Sequence, residues 1–208
     1  MNLPRKALLC LVLLAGCSTA AAAMPAWKLD PSHTRVLFRV DHAGFSQALG
    51  LLSGIEGELR FDPGDWAGAS VEVVVPLARL EVGDQEFRDT LLGQGWFHAS
   101  RHPEARFRST RVEPTDEGSA KVHGLLSLRG EEKPVVLEVR LNKAGLNPVR
   151  FRRAVGFSAT ATLDRRDFGL DRWQNLVGTE VGLEIQAEAI RYRPGHDEEK
   201  GDADPQHD

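Results

Sequence analysis

The chain has 208 residues with a formal net charge of −4, and 41% of its residues are hydrophobic against 27% charged. That is enough for one domain with a proper core and short for two. No basic excess is present, which argues against nucleic acid as a partner.

The first residues read as an export signal rather than as part of a fold. Arg5 and Lys6 precede an apolar run from Ala7 to Gly16. A bilayer span takes roughly 20 residues, so this run is too short to cross. Two processing sites compete. Leu14-Ala15-Gly16-Cys17 resembles a bacterial lipoprotein box, in which small residues expose the scissile bond and the Cys17 thiol carries a diacylglyceryl group. Ala21-Ala22-Ala23 before Met24 offers an ordinary A-x-A site, which would leave a freely soluble periplasmic protein. The reading favours lipidation: residues 1–16 a signal peptide, 17–26 a linker, and Cys17 an anchor in the periplasm on the outer membrane, because Ser18 rather than Asp follows. Both cysteines, Cys10 and Cys17, lie in this region, so the body has no pair to bridge.

Thereafter strands follow one another. Thr34 to His42 alternates Val36, Phe38 and Val40 against Arg35, Leu37 and Arg39. Gly54 to Phe61 places Ile55, Gly57, Leu59 and Phe61 on one face, and Asp62-Pro63-Gly64-Asp65 is a turn. Ala69 to Val75 ends at Pro76. Asp84 to Leu92 reads as a short helix with Asp84 as N-cap, stopped by Gly93 and Gly95. Strands follow at Arg106 to Val112, Ala120 to Leu128, Val135 to Leu141, Ala154 to Leu163 and Glu180 to Arg191. The connections Glu113 to Ser119 and Arg129 to Lys133 are polar and carry Gly. From 193 to 208 the chain is charged and aperiodic, a disordered acidic tail. The sum is an all-β domain over 27–192, a sandwich or a barrel. Small residues on the apolar faces (Gly57, Gly124, Ala159, Ala161, Ala187, Ala189) lean toward a barrel with room inside.

Few residues suggest a reaction. His98 and His102 have helical ligand spacing, but Gly95 and Pro103 flank them and no third ligand sits near, so no metal is expected. No G-x-S-x-G elbow is present. Arg165-Arg166-Asp167 behind Asp164 reads as a structural ion-pair cluster rather than an anion clamp, and Trp96-Phe97 as a core plug.

Several segments stand in order: W-K-L-D-P-S-H with a later D-H, L-R-F-D-P, R-D-T-L-L-G-Q-G-W-F followed by H-P-E-A-R-F-R-S, G-L-L-S-L-R-G-E-E-K-P-V, and L-D-R-R-D-F-G-L. Together they resemble the YceI-like family of periplasmic lipid-binding barrels. The match runs from Trp27 to Arg191. Leu49 to Ile55 is more apolar than the family pattern, and both the tail and the lipoprotein box are additions. The resemblance implies an eight-stranded antiparallel β-barrel, lipocalin-like, with a short helix between the third and fourth strands. It further implies binding or transport of a polyisoprenoid or quinone-like lipid, without catalysis and without a cofactor.

Alternation nominates Val36, Phe38, Val40, Leu59, Leu126, Phe157, Ala161, Leu183 and Ile185 as the inward, ligand-binding rows. A homodimer is left open. The rival readings are an enzyme acting on a small apolar substrate in the barrel, and a ligand-free structural envelope lipoprotein.

Overall fold

In the computed structural model, which describes residues 23–195, alternation becomes a closed sheet. The expected signal segment, Cys17 and the expected tail from residue 196 onward lie outside the described residues. The strand segments are β1 (Ala26–Leu29), β2 (Arg35–His42), β3 (Ser46–Leu52), β4 (Glu56–Asp62), β5 (Asp65–Pro76), β6 (Leu80–Glu81), β7 (Glu104–Pro114), β8 (Ser119–Leu128), β9 (Glu131–Leu146), β10 (Arg153–Asp164) and β11 (Val177–Tyr192). Each pairs antiparallel with its neighbours, and the ring β1-β4-β5-β7-β8-β9-β10-β11 closes where β11 meets β1. The domain is therefore an eight-stranded antiparallel barrel. β2 continues β1 along β11, β3 pairs with β2 and β6 with β3, so the three extra segments lengthen the barrel rather than adding strands to the ring.

The interruption between β1 and β2 is built by the D-P-S-H turn. Asp30 is 5% exposed, and its carboxylate accepts from the Ser32 amide at 2.9 Å and meets Nδ1 of His33 at 2.9 Å. Arg150 stands 3.3 Å away. The Asp30 amide donates to the Glu188 carbonyl, so the chain bulges outward and then rejoins the same ladder. Nearby, Trp27 is 4% exposed, donates from its indole to the Phe61 carbonyl at 2.8 Å, and lies under the Arg191 guanidinium. The opening motif is thus structural.

Strand limits differ from the sequence reading in several places. β1, β3 and β6 are additional, β5 starts at Asp65 rather than Ala69, and β11 at Val177 rather than Glu180. β9 starts at Glu131 because the connection is only Arg129-Gly130, both at positive φ (54° and 86°), which suits a two-residue hairpin. β9 also runs on to Leu146 rather than stopping at Leu141. The helix, α1 (Gln85–Leu92), follows β6 and precedes β7, with the Asp84 carboxylate accepting from the Phe87 amide at 2.7 Å. Its Leu91 packs with Leu52, Leu77, Leu80 and Ala105 across one end of the barrel. The opposite end carries both limits of the sheet, since Ala26 pairs with Tyr192.

Two outcomes test this construction. Trp27→Ala should lower stability by about 3–5 kcal/mol, read from the urea midpoint, because a large buried side chain and its hydrogen bond go together. For Asp30, burial raises the carboxyl pKa, but the His33 and Ser32 hydrogen bonds and the Arg150 charge outweigh it and hold the group below its ordinary value. A depressed folded pKa gives stability that is present above the unfolded value, about 4, and lost as pH falls through the folded one. Melting followed from pH 6 down to pH 3 should therefore fall less steeply in Asp30→Asn than in the unaltered protein.

Candidate functional site

The inward faces of the barrel do not meet, and they enclose a cavity of about 310 Å³. An apolar cavity of roughly 150 Å³ already takes a benzene-sized molecule, so this one has space for a longer hydrocarbon. Its walls are aliphatic and aromatic, with Thr34, Ser70, Arg60 and Arg165 as the polar residues that border it. No Asp, Glu, His, Cys, Lys or Tyr is among the described residues that do so.

Strand register stacks the inward-facing residues in layers. Val36 lies opposite Ile185, which lies opposite Ala159; Phe38, Leu183 and Ala161 form the next layer, and Val40, Val181 and Leu163 the next. Toward the end where β4 turns into β5, three rings pack edge to face: Phe61 with Trp66 (centroids 5.0 Å), Phe61 with Phe157 (5.1 Å) and Trp66 with Phe157 (6.4 Å). At the helical end the wall is completed by Trp96, Phe97, Phe168 and Leu170.

Arg165 is 4% exposed, and it closes this helical end without a carboxylate partner in hydrogen-bond contact among the described residues. Its guanidinium donates to the carbonyls of Gly178 (2.7 Å), Val177 (2.9 Å) and Leu170, and it stacks over Trp96 at 5.7 Å. Burial pulls its pKa below the usual guanidinium value, partly offset by the charges of Asp164 and Asp171. Beside it, hydrogen bonds from Arg166 hold Asp164 down to about 2. The cluster therefore pins the loop between β10 and β11.

Of the nine residues nominated from alternation, Val36, Phe38, Val40, Leu59, Leu126, Phe157, Leu183 and Ile185 border the cavity. Ala161 does not; it packs against the cluster around Phe168 and Leu170. The small residues divide likewise. Ala159 and Ala187 face the cavity, whereas Gly124 makes space for the Phe107 ring and Gly57 for the backbone of Glu72 and Val73. Missed residues include Trp66, which follows a turn, and Val71, Val73 and Val75 of β5, whose alternation is as regular as that of β10.

The His98 and His102 rings sit edge to face at 5.8 Å. Among the described residues no group of three or more His, Cys, Asp or Glu side chains is placed to hold a metal ion.

Comparison with known proteins agrees with this geometry. A UPF0312 protein of Pseudomonas aeruginosa is 34% identical over 191 residues, covering 90% of this chain and 98% of that protein. The crystal structure of Burkholderia cenocepacia BcnA superposes with a TM-score of 0.70 at 21% identity, covering 77% of this chain and 98% of that one. A polyisoprenoid binding domain from Saccharophagus degradans, implicated in plant cell wall breakdown, shares the fold with a TM-score of 0.58 at 14% identity, covering 81% and 99%. The model of the YceI-like domain matches residues 27–189, nearly the whole barrel, and the chain belongs to the YceI-like family.

Proposed function

We propose that the barrel binds and carries an apolar isoprenoid lipid, a polyprenyl chain or quinone tail, in the bacterial periplasm and performs no reaction on it. The observation that carries this reading is the cavity wall. It offers apolar surface in layers, while its titratable residues are two arginines, of which the buried Arg165 is already engaged by backbone carbonyls. General acid–base or nucleophilic chemistry needs a titratable group aimed at the substrate. Transfer of a hydrocarbon chain from water needs none. Each buried CH₂ contributes about 0.8 kcal/mol, so two or three isoprene units approach the ~8 kcal/mol of micromolar binding before association costs. The fold shared with a polyisoprenoid binding domain supports the same ligand class.

Lipidation of Cys17 would place this carrier on a membrane, most readily the outer one. Its support is the Leu14-Ala15-Gly16-Cys17 sequence followed by Ser18.

Organic extracts of purified protein, analysed by mass spectrometry, are expected to contain a prenyl lipid. Ala187→Trp, which puts an indole into the cavity beside Phe157, should abolish uptake of added prenyl lipid while the β-sheet circular dichroism survives. Extracts empty of prenyl lipid, together with no uptake by the unaltered protein, would overturn the assignment. For the anchor, metabolic labelling with a fatty-acid analogue should mark the protein and fail for Cys17→Ala. Equal labelling of both would refute lipidation.

A further inference from the structure

Beyond ligand binding, we propose that the hairpin joining β9 to β10 is a membrane-docking arm whose apolar tip enters an anionic lipid surface. Three observations lead there. First, the hairpin projects. The β8 ladder along β9 ends with Ser119 opposite Arg140, yet β9 continues to Leu146, paired through this stretch with β10. Second, the tip presents large apolar side chains to solvent: Leu146 is 61% exposed, Val149 83% and Phe151 79%. Their presentation is fixed. The Asn147 side chain accepts from the amides of Val149 and Arg150, the Phe151 amide donates to the Asn147 carbonyl, and the Asn147 amide donates to the Arg152 carbonyl. Three exposed apolar residues on one short rigid turn differ from apolar residues scattered singly over a surface.

Third, the hairpin's own charges are all positive in a chain that is negative overall, and they outnumber the two carboxylates beside it, Asp30 and Glu188. Arg140, Lys143, Arg150, Arg152 and Arg153 fall within one stretch that contains no Asp or Glu. Arg150 reaches Asp30 and Arg152 donates to the Arg191 carbonyl at 2.9 Å, so two of these side chains also brace the arm against β1 and β11. An apolar tip with a basic collar matches an interface of acyl chains under anionic headgroups. A second copy of the chain would bring the same positive charge against itself. The arm also lies at the end of the barrel where Ala26 enters the sheet. Eight residues separate Ala26 from Cys17, and the nine steps between them span about 30 Å at most. This last point rests on the proposed lipidation; the other observations do not.

The test uses the full chain carrying Cys17→Ala, so that no anchor contributes, and vesicles of phosphatidylcholine with or without phosphatidylglycerol. The protein should co-sediment with the phosphatidylglycerol vesicles and detach at high salt. Replacing Val149 and Phe151 together by Ser should weaken partitioning about tenfold or more, with melting temperature and prenyl-lipid uptake unchanged. Uptake is read separately, so failure of the arm and failure of the carrier reading are distinguishable. As a second readout, the emission of Phe151→Trp should shift to the blue on those vesicles. No sedimentation, sedimentation indifferent to the double substitution, or an unshifted emission would overturn the proposal. So would a double substitution that dissolves a dimer in analytical ultracentrifugation and leaves vesicle binding intact.

Discussion

Closure of the sheet rests on β1 and its continuation β2, which hydrogen-bond to β11 on one side and to β4 and β3 on the other. Without them, two edges lie open and the interior faces water. The chain therefore concentrates fixed interactions there. Trp27 reaches across to the Phe61 carbonyl, Arg191 covers its ring, and the buried Asp30 carboxylate holds the turn that lets β2 resume the same ladder. The apolar character of the cavity follows from this seal, since an inward row of Val, Leu and Phe is dry only inside a closed ring.

Eight strands give an interior that side chains can just fill, or leave free for one small ligand. Here they leave it free. At about 310 Å³ the space is roughly twice that of a cavity that takes benzene, so it is not a small packing fault. The strand ladders and the clusters at the two ends must carry stability around it, and a hydrocarbon chain lodged inside would restore the missing contacts.

Much of this arrangement was legible in residue order. β10 and β11 alternate without interruption, and the eight nominated residues that border the cavity were found by that rule alone. Ala161 obeys the same rule and still misses the cavity, and it packs instead with the buried cluster that includes Phe107, Val122, Phe168 and Leu170. Alternation assigns a face; it does not say what another segment puts against that face. β3 was invisible for a different reason. Ser-Gln-Ala-Leu-Gly-Leu-Leu has neither a polar face nor regular spacing, and its Gly50 is there to clear the Phe38 ring from β2. β1 is too short to show a period. The arm of β9 beyond Leu141, Asn-Lys-Ala-Gly-Leu, is largely exposed and does not alternate polar with apolar residues, so nothing periodic marked its continuation.

The meander also fixes an order of events during synthesis. Every ladder but those of β1 and β2 with β11 joins segments near in sequence, so each can form as soon as its second strand emerges. β1 is made first among the strands and finds one of its two partners, β4, early. Its other partner, β11, is made last. Until Tyr192 has appeared, a growing sheet carries two unpaired edges, the feature that invites pairing with other chains. A nascent polypeptide of this design gains nothing from pausing partway. Its vulnerability to aggregation lasts until the final strand arrives, and then ends in a single step.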